Sequence, residues 1–206
     1  MIDYETEEQQ IDAIKKWWQE NGKAVITGIV LGFSLIGGWQ YYGIWQKQQS
    51  SLASSFYEKS YRGLTEKNHI AINENTKILK EDYSSSIYVS LSSLLEAKSF
   101  VIDKKYKEAQ LSLEWVVKNA NKDISLLARV RLARVLQQQK KFNEALKVLQ
   151  IDHPLSFSTL FAETMGDIYK DIKQNKKAQE SYIRALSSAK NPKVSEILNI
   201  KLDSVK

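Results

Sequence analysis

An uncharged run near the N-terminus is the feature that most limits how this chain can fold. No Asp, Glu, Lys or Arg occurs between Lys23 and Lys47. In a helix, about 22 residues at about 1.5 Å each span roughly 30 Å, the thickness of the hydrocarbon core of a bilayer. A buried helix of a globular protein is rarely this long without a charge. The sequence therefore predicts one transmembrane helix over residues 24–45.

Aromatic side chains flank this run at both ends. Amphipathic rings favour the headgroup level of a membrane, so two aromatic belts support a span in contact with the lipid bilayer. The belt residues are Trp17, Trp18, Trp39, Tyr41, Tyr42 and Trp45. A cleaved signal peptide fits poorly, because residues 1–23 carry more acids than lysines and aromatic residues stand where a small-x-small cleavage site would follow.

Lysines near the span favour one orientation. Lys15, Lys16 and Lys23 precede the run, whereas Lys47 and Lys59 follow it over a comparable distance. The positive-inside rule then predicts a single-pass protein of the inner membrane, with residues 1–23 as a cytoplasmic leader. Residues 46–206 would lie in the periplasm of a Gram-negative bacterium. The absence of cysteine is compatible with that compartment.

Composition indicates that the remainder is one all-α domain. The chain has two prolines and eight glycines, several of them in the uncharged run, and no alternating strand pattern. About 160 residues suffice for a domain with its own core. The net charge of +6 is not concentrated in a Lys/Arg block, so we expect no nucleic-acid partner.

Small and aromatic residues recur in residues 97–185 with a period near 34 residues, which is the length of a tetratricopeptide repeat. An alanine closes an aromatic-x-x-Ala motif twice, at Ala109 and Ala145, and returns at Ala178 without its aromatic residue. Twelve residues before each alanine stands Ala97, Ala133 or Gly166, and four residues after it stands Leu113, Leu149 or Tyr182. Small residues at this spacing let two helices touch. An ordinary antiparallel bundle, with alanines at close crossings, is the alternative.

The period predicts a series of helix pairs that stack into an α-solenoid. The predicted pairs are 90–102 with 105–119, 124–139 with 143–149, and 155–173 with 176–189. A last helix over 193–205 would begin after Pro192 and cap the stack. A degenerate leading pair is expected over 46–64 and 71–81.

The order of these features resembles that of a known family. An acidic leader with Ile11, Ile14, Trp17 and Trp18 at the spacing of a short amphipathic helix precedes an ENGK turn at residues 20–23. A glycine-rich span ending in GGWQYY and a tetratricopeptide domain follow. Over essentially the whole chain this resembles the ancillary SecYEG translocon subunit family of YfgM-type proteins. The resemblance implies association with the SecYEG translocon and with a membrane-anchored periplasmic chaperone of the prolyl-isomerase-like type, and a role in handing over newly translocated proteins.

The sequence contains no constellation of residues that catalysis would need. His69 and His153 are the only histidines, and neither has a cysteine or second histidine at metal-ligand spacing. No Gly-x-Ser-x-Gly, Walker-type or GxGxxG motif is present. We therefore expect no enzyme activity, cofactor or metal.

Two groups of residues are candidates for protein contacts. Within the span, Gly28 with Gly32 and Ser34 with Gly38 form small-xxx-small pairs that let another membrane helix approach, although glycine is common in such helices anyway. In the repeats, three positions on each first helix are expected to face a groove: Leu94, Lys98, Val101, Val130, Arg134, Gln137, Glu163, Asp167 and Lys170. Their mixed polarity suits a segment of another protein better than a phosphate backbone. They could also be ordinary solvated residues.

The sequence thus predicts a non-enzymatic, membrane-anchored adaptor of the secretion translocon. A structural scaffold, or a self-associating protein of envelope assembly unrelated to secretion, remains the alternative.

Overall fold

The computed structural model describes residues 7–206, and this part of the chain forms nine α-helices and no strand. The first six residues of the predicted leader lie outside the described range. The helices are α1 (Glu7–Thr65), α2 (His69–Asp82), α3 (Ile87–Ile102), α4 (Tyr106–Asn119), α5 (Lys122–Gln138), α6 (Phe142–Leu149), α7 (Leu155–Asp171), α8 (Asn175–Ser188) and α9 (Pro192–Asp203). The prediction of an all-α chain is confirmed.

The chain divides into two compact units, and α1 runs through the boundary between Ser51 and Leu52. In the first unit, apolar side chains of the uncharged run are open to the surroundings: Phe33 and Leu35 are each 74% exposed and Trp39 is 81% exposed. Among the described residues, α1 is the one helix long and apolar enough to cross a membrane. This exposure excludes a core helix of a soluble domain as an explanation of the run.

The leader differs from its prediction, because α1 is already helical at Glu7 and has no break at residues 20–23. Asn21 donates a side-chain hydrogen bond back to the carbonyl of Trp17 (3.1 Å). The indole of Trp18 covers Gly22, where an added Cβ would lie 3.1 Å from Trp18 Cε2. Because of these local contacts, residues 20–23 remain helical although their sequence is typical of a turn. The expected turn and the separate amphipathic helix are therefore wrong for the described residues.

In the second unit, Leu52–Lys206, there are four helix pairs, and the same type of turn joins the two helices of each pair. The turn residues Lys67, Lys104, Lys140 and Lys173 have φ between 56° and 61°, the left-handed region. In each turn the next N–H donates to a carbonyl five residues back, as in Lys105 to Phe100 (2.8 Å) and Lys141 to Leu136 (2.9 Å). This is the Schellman end of a helix, in which a left-handed residue lets the chain satisfy orphan carbonyls. The repeat period is confirmed, and it extends to the leading pair of α1 and α2.

Small residues let the two helices of a pair meet. Ala97, Ala109, Ala133 and Ala145 are at most 2% exposed and belong to one core cluster. The corresponding positions of the leading pair are Ser60 and Ile72, both buried, and Ser92 Oγ of α3 donates to Ser60 Oγ (2.8 Å) and contacts Thr76 Oγ1 (2.7 Å). These hydroxyl bonds link α1 and α2 to α3. Neither of the two positions in the leading pair is an alanine, which is why a search for alanines finds only three copies.

Helix ends agree with the sequence to within a few residues. α3 begins earlier than expected because the Ser86 side chain accepts a hydrogen bond from the N–H of Tyr88 and caps it. Asn121 caps α5 in the same way, and Asn191 caps α9, which begins at Pro192, one residue earlier than predicted. Leu198 of the last helix (0% exposed) and Val205 just after it (2%) pack against α8, so this end of the chain closes the stack.

Candidate protein-binding cavity and membrane helix

A cavity of about 650 Å³ opens between α3, α4 and α5 and reaches one residue of α7. We call it the α3–α5 cavity. Apolar side chains form much of its wall, and charged groups lie among them. The lining residues are Leu94, Ala97, Lys98, Val101, Tyr106, Leu113, Arg131, Arg134, Val135, Gln137, Gln138 and Asp167.

Six of the nine predicted groove residues meet at this cavity: Leu94, Lys98, Val101, Arg134, Gln137 and Asp167. Val130 does not, since it is 1% exposed and lies in the core cluster. It was placed in the groove by analogy with Leu94, but α5 is packed against α4, α6 and α7, which leaves that position enclosed. The groove assignment of Val130 is therefore wrong.

Glu163 and Lys170 do not line the cavity, because α9 engages both. Glu163 Oε1 accepts a hydrogen bond from Lys201 Nζ (2.7 Å), and Lys170 Nζ donates to Ser204 Oγ (2.8 Å). The predicted groove of three equivalent segments is therefore not found in the described repeats. The structure has one cavity between α3, α4 and α5, and polar contacts between α7 and the end of the chain around α9.

Several cavity residues carried no signal in the repeat pattern. Arg131 and Gln138 lie on the same face of α5 as Arg134, but the pattern counted only three positions per helix. Tyr106 and Leu113 come from α4, the second helix of its pair, whereas the groove prediction includes only residues of first helices. Arg131 and Arg134 lie one helical turn apart, and this spacing is the sequence feature from which Arg131 could have been placed beside Arg134.

Acidic groups near the cavity are engaged within the protein. Lys201 Nζ lies 2.8 Å from both carboxylate oxygens of Asp167, and the hydroxyl of Tyr182 donates to Asp167 Oδ1 (2.9 Å). Gln137 Nε2 donates to Asp171 Oδ2 (2.7 Å). Desolvation lowers the pKa of Lys201, but its hydrogen bonds to Asp167 and Glu163 outweigh this and raise the pKa overall. Burial, followed by the hydrogen bond to Asp167, raises the pKa of Tyr182.

Basic groups at the cavity are not engaged in the same way. Within residues 7–206, no salt bridge involves Lys98, Arg131 or Arg134. Arg134 makes one long contact to Thr164 Oγ1 (3.5 Å). Burial, and then the neighbouring charge of Arg134, lower the pKa of Arg131. The open charge of the cavity is therefore positive, although its sequence positions carry both signs.

The histidines and a second cavity have no evident chemistry. His69 links α2 to α3 through Ser99 Oγ and Asp103 Oδ1 (3.3 Å). His153 stacks on Phe161, with ring centroids 4.4 Å apart, beside a cavity of about 660 Å³ that is formed mainly by the segment before α7 and by α7 itself, with one residue of α8. In the described part of the chain, no three His, Cys, Asp or Glu residues are grouped as metal ligands.

The small residues of the span lie on two faces. An added Cβ at Gly28, Gly32 or Gly38 would meet no heavy atom within 4 Å, so the positions are open. At about 100° per residue, Gly28 and Gly32 share one face, and Ser34 and Gly38 share another about 120° away. One partner helix cannot pack against both pairs at once.

Comparison with known proteins agrees with this architecture. Residues 15–206 match the family described as tetratricopeptide repeat-like domain. A protein of Escherichia coli (strain K12) is 26% identical over 203 residues, which cover 98% of each chain. A protein of Neisseria gonorrhoeae is 29% identical over 209 residues, covering 97% of each chain, and one of Aggregatibacter actinomycetemcomitans is 29% identical over 184 residues, covering 89% of this chain and 90% of the relative. All three are named ancillary SecYEG translocon subunit.

Proposed function

Since this chain belongs to the tetratricopeptide repeat-like domain family, we propose that it is a non-catalytic adaptor anchored beside the SecYEG translocon. The proposal rests on one observation. The same chain has an exposed apolar helix and helical repeats that contain an open, part-apolar cavity. Relatives that match the chain from end to end bear the name of a translocon subunit, which supports the same partner.

We assign the translocon contact to the span. The face with Gly28 and Gly32 lets a neighbouring helix come close enough for backbone packing, the main source of attraction between helices in lipid. The face with Ser34 and Gly38 is free for a second helix, and we assign it to the anchor of a chaperone. Two separate faces let one helix hold two membrane partners at once.

We assign capture of the soluble part of that chaperone to the α3–α5 cavity. A recess with an apolar floor and polar groups at its edge is the arrangement in which polypeptide segments bind. The partner is a membrane-anchored periplasmic chaperone of the prolyl-isomerase-like type, and the function is the hand-over of newly translocated proteins. This assignment places residues 46–206 in the periplasm and the leader in the cytoplasm.

Site-specific photocrosslinking in intact cells tests both assignments. A probe at Gly32 is expected to give adducts with translocon subunits, while a control probe at Phe33, on another face of α1, gives few. A probe at Gln138 in the cavity is expected to capture the chaperone, and a control at Lys118, exposed on α4, is not. Adducts only with further copies of this chain would overturn the adaptor and favour the self-associating scaffold.

A further inference from the structure

The charges around the α3–α5 cavity specify a ligand more closely than its shape does. Lys98 on α3 and Arg131 and Arg134 on α5 all line it. Among residues 7–206 these three groups have no carboxylate partner, whereas Lys80, a partly buried lysine of the same domain, is paired with Glu96 (3.0 Å). The cavity therefore holds three cationic groups whose charge the protein does not offset.

Nearby acids do not supply the missing charge. Asp167 is the one acid in the lining, and both of its carboxylate oxygens accept from Lys201. Asp171 accepts from Gln137, and Glu163 is held by Lys201. Because α9 contributes Lys201, the closing helix of the stack engages Asp167, the one acid in the lining, and leaves Lys98, Arg131 and Arg134 without a carboxylate partner.

Arg131 and Arg134 are placed at a cost to the folded protein. They stand one helical turn apart, where like charges repel each other. Partial burial and the charge of Arg134 both lower the pKa of Arg131, and both arginine residues are exposed, so the two neighbouring cations are open to a ligand. A carboxylate between them would relieve the repulsion and form charge-assisted hydrogen bonds, which are stronger than neutral ones.

Apolar side chains lie beside these cations in the same recess. Leu94, Val101 and Leu113 come from α3 and α4, and Val135 comes from α5. A ligand that fills the cavity must therefore present an apolar group next to its carboxylates. A nucleic acid would need a longer basic stripe, and a bilayer surface is broad, whereas this positive patch ends at the acids of α7.

We propose that the α3–α5 cavity binds an extended, acidic segment of a partner protein, in which Asp or Glu side chains pair with Lys98, Arg131 and Arg134. A neighbouring apolar side chain of the segment packs against Leu94, Val101 and Leu113. This inference rests on the proposed function, since it specifies the chemistry of the segment that the adaptor captures.

Selection from a displayed library of short random peptides tests the inference without prior choice of a ligand. The full chain is held in nanodiscs of zwitterionic lipid, and bound peptides are sequenced. Peptides with two or more Asp or Glu residues beside an apolar residue are expected to be enriched. Enrichment of basic peptides, or no enrichment of acidic ones, would overturn the inference.

Matched variants locate the binding. Arg131→Gln with Arg134→Gln should weaken binding of a selected peptide by at least about tenfold, since a charge-assisted hydrogen bond contributes more than about 1.4 kcal/mol. Lys107→Gln with Lys118→Gln removes the same charge from exposed positions of α4 and should change binding less than about twofold. Equal weakening by the two pairs would mean attraction to net charge alone and would contradict the inference. If the arginine variant fails to fold, peptide binding is measured with Lys98→Gln, which leaves α5 unchanged.

Two further measurements separate the possible failures. If Arg131→Gln with Arg134→Gln weakens binding to vesicles of anionic lipid but not to acidic peptides, the cavity binds lipid headgroups and the inference is wrong. If acidic peptides fail to bind while the probe at Gly32 still crosslinks to the translocon, the charge inference alone fails and the adaptor stands. Loss of that crosslink would instead contradict the proposed function.

Discussion

Gly166 and Tyr182 keep α7 and α8 at the spacing that alanine and leucine keep in the pairs α3–α4 and α5–α6. An added Cβ at Gly166 would lie 2.5 Å from Tyr182 Cε1, well inside van der Waals contact. The ring of Tyr182 is fully buried there, and its hydroxyl reaches Asp167. The large residue and the missing side chain therefore compensate for each other.

This compensation predicts the effect of Gly166→Ala. The added methyl group forces the Tyr182 ring to move, and overpacking of this kind typically costs about 1–3 kcal/mol of unfolding free energy. Chemical denaturation measures the change. Tyr182→Leu in the Gly166→Ala background should recover part of the loss, because it removes the clash and restores the alanine-leucine arrangement of the other pairs. Additive losses in the double variant would show that the two residues do not compensate.

The left-handed lysines offer a stabilising change. In this left-handed region of φ and ψ, a residue with a side chain is less stable than glycine by about 1–2 kcal/mol. Lys140→Gly should therefore raise the unfolding free energy by about 0.5–1 kcal/mol after the added flexibility of the unfolded chain is counted. Lys147→Gly, at an exposed helical position of α6, is the control and should lower it by about 1 kcal/mol. A loss for both variants would contradict the left-handed turn.

At the scale of elements, α9 is held by both apolar and ionic contacts to its neighbours. Lys201 reaches Glu163 and Asp167 on α7, and its ammonium group is the charge partner of both. Lys201→Met should lower the unfolding free energy by about 1–3 kcal/mol at neutral pH, because two partly buried carboxylates lose their partner. Denaturation of this variant beside Lys206→Met, whose side chain is exposed, makes the comparison. A loss as small as that of the control would show that the ion pair does not hold α9.

The same contacts predict an alkaline limit to stability. Lys201 and Tyr182 both have a pKa raised in the folded state. Above about pH 10, near the ordinary pKa values of both groups, the unfolded chain releases these protons first, so the folded state binds more protons and stability falls as pH rises. The loss should be smaller in a variant that carries both Lys201→Met and Tyr182→Phe. Denaturation between neutral pH and about pH 11 measures the two slopes, and parallel slopes would contradict the assignment.

Helix positions could be read from the sequence because the period of small residues fixes where pairs must touch. Ala97 and Ala133 predicted their neighbours, whereas Ser60 of the leading pair gave no such signal, since its hydroxyl finds a partner only in the fold. The sign of the cavity charge could not be read for the same reason. It depends on Lys201, far along the chain, which engages Asp167.

Site prediction failed where tertiary packing decided the outcome. Val130 occupies a groove position by repeat count but is enclosed by the helices on both sides of α5. Arg131 was missed because the groove prediction includes only three positions on each first helix. The ENGK stretch reads as a turn, but Trp18 shields Gly22 within α1.

At the scale of the whole molecule, the absence of cysteine makes the proposed orientation directly testable. Single cysteines at Glu20 and Lys118, both exposed, can be labelled with a membrane-impermeant maleimide in cells with a permeabilised outer membrane. The cysteine at position 118 should react in these cells, and the one at position 20 only after the inner membrane is also lysed. The reverse pattern would place the repeats in the cytoplasm and exclude a periplasmic partner.

The central claim is that the span docks this repeat protein on the translocon. Affinity purification of the full chain from membranes in mild detergent, with quantification of the translocon subunits, tests it most directly. Wild type and Gly37→Leu should recover these subunits equally, while Gly32→Leu should recover several-fold less, because Gly37 lies on another face of α1 and a leucine at position 32 keeps the partner helix away. Recovery from wild type no higher than that with an unrelated single-pass protein would contradict the account.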